Sequence, residues 1–166
     1  MFELKPLSQE ALPGALDKAV RYRLLNEPMQ AESICRDVLR VDPENRQALI
    51  NLVLSLTDQF AESLSTAFGE AKKAAERLSD EYDRCYYRGI ICERRANAHH
   101  SKRGPGSGTL AYDWYRQAME LYERAGELAP TDNADAALRW NTCVRMLRRH
   151  SDLKPQDEEV FHPMLE

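Results

Sequence analysis

Residues 31–43 read AESICRDVLRVDP, and residues 118–130 read AMELYERAGELAP. Counting back five, eight and twelve residues from Pro43 gives Val38, Cys35 and Ala31. The same offsets from Pro130 give Ala125, Tyr122 and Ala118. Spacings of four and three residues place Ala31, Cys35 and Val38, and likewise Ala118, Tyr122 and Ala125, on one face of a helix. The steric logic is simple. A small residue lets two antiparallel helices approach closely, a larger one fills the gap beside it, and proline ends the helix.

The surrounding chain is helical by the same criterion. Between Gly14 and Gln47 the apolar residues Leu16, Ala19, Val20, Ile34, Val38 and Leu39 keep helical spacing. Alternating strand patterns are absent, and the short run Gly89-Ile90-Ile91-Cys92 sits inside a longer helical pattern. Pro28 starts a helix after the turn Asn26-Glu27, Asp42-Pro43-Glu44 reads as an N-cap with a first-turn proline, and Pro130 to Asn133 closes one helix and caps the next. Seven helices are predicted, over 13–26, 29–41, 44–60, 62–79, 81–100, 110–128 and 133–149. Their connections are short except for residues 101–108, SKRGPGSG, a flexible loop by composition. These elements form one domain over residues 1–150, and residues 151–166 read as an extended acidic tail.

The second-helix pattern resembles that of the tetratricopeptide repeat, in the form of the small bacterial-type members. In residues 12–45, which match the family's repeat length, Ala19 and Tyr22 occupy the small and aromatic positions of the leading helix. The later repeats are irregular. Ala71, Ala75 and Leu78 fit the second one, with six extra residues after Leu56. Gly89, Cys92 and Ala118 fit the third, with seventeen extra residues that include the glycine loop. Trp140 and Cys143 fit a closing cap helix. The resemblance implies an all-α, right-handed helical solenoid of three antiparallel helix pairs plus that cap.

It also implies a function. Such arrays hold a peptide or a helix in a concave groove lined by their leading helices. Carried over position by position, the groove residues are Leu16, Val20 and Arg23, then Gln47, Ile50, Asn51 and Leu54, then Tyr86, Ile90 and Arg94, with Asn141 and Arg145 from the cap helix. Ile50, Leu54 and Ile90 read equally well as core. An apolar surface with solvent-facing arginines such as Arg94 and Arg145 suits a protein or peptide partner bearing apolar and acidic residues. One subclass of the family clamps chaperone C-termini with lysines, asparagines and an arginine. Its positions here are Leu16, Val20, Asn51, Asp83 and Tyr87, so only Asn51 matches and the cations are missing.

Composition narrows the remaining classes. The chain has 166 residues, 43% hydrophobic and 30% charged, with a net charge of −4. Asp152, Asp157, Glu158, Glu159 and Glu166 against Lys154 account for that charge, so the body is neutral. A neutral body does not fit nonspecific nucleic-acid binding, and no run approaches the roughly 20 apolar residues of a membrane helix. No cofactor is expected. The glycine loop lacks the lysine of a phosphate-binding loop and the strand before it. His99 and His100 are followed by no further ligand at a metal-site spacing. Cys35, Cys92 and Cys143 fall at packing positions, and scattered thiols fit a reducing, cytoplasmic setting. No catalytic constellation is visible, so an enzyme is not expected.

The resulting reading is a protein–protein adaptor or scaffold. A second reading is a self-assembling structural subunit that uses an aromatic surface around Tyr112 and Tyr115, with Trp114 and Tyr122 packed against Trp140. A third is a nucleotide- or metal-binding accessory protein. The segment Asp157 to Phe161 combines acids with an apolar anchor, and reads either as an internal ligand for the groove or as a solvated tail.

Overall fold

The computed structural model describes residues 2–156. Among them are seven α-helices, one short 3-10 turn at Gln9–Ala11 and no strand. The helices are α1 (Leu12–Leu24), α2 (Pro28–Val41), α3 (Arg46–Asp58), α4 (Phe60–Glu76), α5 (Glu81–Ser101), α6 (Ser107–Leu128) and α7 (Asp135–Arg149). Each packs on its neighbours in the chain, α1 also touches α3, and α3 also touches α5. With connections this short, successive helices form hairpins.

Two adjoining cores hold the helices together. The first takes Ala19 from α1, Ala31, Cys35 and Val38 from α2, Leu49 and Val53 from α3, and Ala71 and Ala75 from α4. The second takes Ile90 and Ala96 from α5, Tyr115, Ala118 and Tyr122 from α6, and Cys143 from α7. Half-buried Tyr87 packs on both. Ala31, Ala71 and Ala118, the small positions marked in the sequence, are all fully buried. Between α5 and α6 the approach is tight at Gly89, where an added Cβ would lie 2.5 Å from Cε1 of the Tyr122 ring. The ring therefore lies directly over the α5 backbone. Its hydroxyl donates to Oε2 of buried Glu93 at 2.5 Å, which pairs both polar groups inside the core.

Several local expectations change. Asp42 does not cap α3. Asn45 does, accepting from the Ala48 N–H at 2.9 Å, while its own amide donates to Asp42 at 2.9 Å. Pro43 and Glu44 therefore lie in the turn before the helix. The glycine loop is shorter than its composition implies, because α5 runs to Ser101 and α6 begins at Ser107. The turn is made with Arg103 at φ 47° and Gly106 at φ 73°, left-handed values that glycine adopts without steric cost. Trp114 packs edge-on against Phe68 of α4 rather than against Trp140. Finally, the chain does not leave the domain at residue 150, since Leu153 is buried in the second core. The acidic segment Asp157 to Phe161 lies outside the described residues.

Candidate functional site

The last residue of α3, Asp58, stands between two arginines from the flanking helices. Arg23 of α1 donates from Nε to its Oδ2 at 2.9 Å, and Arg94 of α5 donates from Nη1 to its Oδ1. All three side chains are partly buried. Partial burial raises the value of a charge-assisted bond over a surface pair, because less water screens it. One carboxylate between two guanidinium groups leaves a net positive charge.

The cluster borders a cavity of about 420 Å³ whose walls include Arg23, Asn26, Asp58, Arg94, Asn97 and Ser101. A second hollow of about 310 Å³, along residues 26–30, shares Asn26 and Asp58 with the first. Asn26 turns the chain between α1 and α2 at φ 59°. Beside that turn Leu24, Leu25 and Met29 are 82%, 62% and 67% exposed. Charge and apolar surface thus meet at one end of α1, α3 and α5. Asn26, Asp58, Asn97 and Ser101 were not among the residues expected from the sequence. Asp58 was within reach, since it follows Gln47, Asn51 and Leu54 on one helix face at offsets of three or four.

The expected groove residues fall into three groups. Arg23 and Arg94 come together around Asp58, so Arg94 is not the free, solvent-facing cation that was expected. Leu16, Ile50, Leu54 and Tyr86 are half-buried, Val20 and Gln47 are exposed, and Asn51 and Ile90 are buried. The amide of Asn51 donates to the Gln47 carbonyl of its own helix at 2.9 Å, so its donor is satisfied internally. The helices α3 and α5, which carry most of these residues, touch each other directly. Asn141 and Arg145 are exposed on α7, and Asn141 lines a separate hollow with Tyr122 and Trp140. The aromatic surface expected around Tyr112 and Tyr115 does not form, because Tyr115 is fully buried and donates its hydroxyl to Asn97.

Further ion pairs tie α5 to α3 and to α7. Arg46 at the start of α3 makes a two-point contact with buried Asp83 of α5, at 2.5 and 2.8 Å. Arg139 of α7 reaches Glu93 at 3.3 Å. Burial pushes the Cys35 and Cys143 thiols up to about 12 and Cys92 to about 11, so all three stay protonated and unreactive at neutral pH.

No family model and no curated protein matches this sequence. The functional reading therefore rests on the chemistry of the chain itself.

One other cluster was not visible in the sequence. His100, near the end of α5, meets His150 and Asp152 from the segment after α7. Its Nε2 lies 3.1 Å from Asp152 Oδ2, and its ring lies 4.6 Å from that of His150. Nearby Arg95 is sandwiched between Phe68 and Trp114, 3.8 and 4.2 Å from their centroids, a cation–π arrangement.

Proposed function

We propose that this chain is a tetratricopeptide-type interaction module, a non-enzymatic cytoplasmic adaptor that binds an acidic peptide carrying an apolar residue. The binding site is the end of α1, α3 and α5. The observation that carries this reading is the Arg23–Asp58–Arg94 cluster beside exposed Leu24, Leu25 and Met29. Each guanidinium has five N–H donors, and Asp58 occupies only one on each. A partner carboxylate joins or displaces Asp58, while its apolar residue covers the leucines and methionine.

The remaining features agree with a binding module. The buried thiols are unfit as nucleophiles, and four free cysteines suit a reducing compartment. No helix among the described residues is long and apolar enough to cross a membrane. The test is selection from a random peptide library on the immobilised full chain, with the selected peptides mapped by amide chemical shifts. The expected result is enrichment of acidic sequences that perturb Arg23, Asn26, Arg94 and Asn97. Peptides without acidic enrichment, or peptides that map to α6 and α7, would overturn the reading.

A further inference from the structure

We propose that His100, His150 and Asp152 form a binding site for a divalent transition-metal ion of the zinc class, which clips the end of α5 to the segment that follows α7. The ligand atoms of the three residues lie within 4.8 Å of one another. A tetrahedral zinc ion with bonds of about 2.0–2.1 Å needs its ligands roughly 3.3 Å apart. The separation of 3.1 Å between His100 Nε2 and Asp152 Oδ2 is already close to that value. The His150 ring must turn about its side-chain bonds to supply the third contact. Two imidazoles and one carboxylate favour zinc, nickel or copper over magnesium and calcium, which prefer all-oxygen shells.

The three residues are held in place by features that need no metal. His100 sits in the last turn of a 21-residue helix. His150 closes α7, its N–H donating to the Met146 carbonyl at 3.2 Å. Asp152 is fixed from two sides. Leu153, next to it, is buried in the second core and donates its N–H to the His150 carbonyl at 3.1 Å. The Asp152 carbonyl passes so close to Gly108 that a Cβ there would collide with it. The segment is thus anchored by an apolar plug on one side and a glycine seat on the other, and Asp152 is aimed at His100. Such preorganisation lowers the ordering cost of binding an ion.

Three protein ligands leave at least one coordination position open, as in zinc sites that keep a water or an exchangeable ligand. The cluster borders a cavity of about 540 Å³ whose walls include Arg103, Ser107, Thr109 and Lys154. Arg103 and Lys154 oppose a bare dication, so the fourth position suits water or a small anion. Residues 100 and 150 are distant in sequence, so an ion bound to both stabilises the folded state in proportion to its occupancy.

The experiment uses the full chain without any affinity tag, stripped of metal and titrated with zinc chloride by calorimetry and by thermal melting. One equivalent should bind saturably and raise the melting temperature, and excess magnesium should not displace it. His150→Gln and Asp152→Asn should each weaken zinc binding by more than the roughly 10–100-fold that outer-shell changes cost. X-ray absorption of the zinc-loaded wild type should show nitrogen and oxygen neighbours, including two imidazoles, and no sulfur. That measurement stands even if a variant fails to fold. The proposal is overturned by the absence of saturable binding, by undiminished binding in both variants, or by sulfur in the zinc shell, which would move the ion to a cysteine such as Cys85. Without the metal, the cluster is a hydrogen bond between His100 and Asp152 beside a ring contact with His150.

Discussion

At the scale of single residues, Gly89 shows that a contact across helices decides what the chain tolerates. Gly89 lies inside α5, where alanine would ordinarily stabilise a helix by about 0.5–1 kcal/mol. Here the added Cβ would meet the Tyr122 ring at 2.5 Å, and that ring is fixed by its bond to Glu93. Gly89→Ala should therefore destabilise the protein by about 1–3 kcal/mol, the cost of overpacking. Urea denaturation checks it, and a stabilised variant would show that the ring is not seated there. The thiols give a second residue-scale prediction. Cys35, Cys92 and Cys143 are buried and protonated, whereas Cys85 is half-buried. In the native protein one thiol, Cys85, should react with a disulfide reagent well before the other three. Rapid reaction of two or more would contradict the packing described.

At the scale of elements, Ala118 tests the pairing of α5 with α6. It is fully buried in the second core, one turn from Tyr122. Ala118→Leu should cost about 1–3 kcal/mol by forcing the helices apart, and a melting temperature within a degree of wild type would contradict that. Helix positions were legible in the sequence because periodicity and proline punctuation are local signals. The start of α3 was not. Asp42 and Asn45 are both good caps, and the choice depends on the geometry in which Asn45 bonds both Asp42 and Ala48. Tyr115 was misread, although it shares a helical face with Ala111, Ala118 and Tyr122, all buried. Trp114 packing on Phe68 and Asp58 gathering two arginines are contacts between helices, with no local signature in the chain. The same holds for His100 and Asp152, which are far apart in sequence.

For the whole molecule, burial of titratable groups sets the pH range of stability. Burial raises the thiols of Cys35, Cys92 and Cys143, raises the Tyr87 hydroxyl to about 12, and pushes Tyr115 and Tyr122 higher still. In the unfolded chain thiols ionise near 9 and phenols near 10. Above those values the unfolded state loses protons that the folded state keeps, so stability falls as pH rises. His99 acts at the other end. Burial, with help from Arg95 and Lys102, lowers its pKa, so the unfolded chain binds a proton more readily and stability falls as pH drops through about 6.5. The melting temperature should therefore form a plateau between roughly pH 6.5 and 8.5 and decline on both sides. A value that holds steady from pH 8 to 10.5 would contradict the burial of these groups.

The proposed binding of an acidic partner by the arginines around Asp58 can be tested by sign at Asp58 itself. Asp58→Asn removes the internal carboxylate and leaves both guanidinium groups for the ligand. Arg94→Gln removes one of those groups and leaves a long, neutral side chain in its place. The most direct measurement is the affinity of one acidic peptide, selected on the wild-type protein, for these two variants. Asp58→Asn should bind it more tightly, and Arg94→Gln should bind it more weakly by about tenfold, equivalent to roughly 1.4 kcal/mol. Equal affinity for both variants, or weaker binding by Asp58→Asn while it remains folded, would contradict the account.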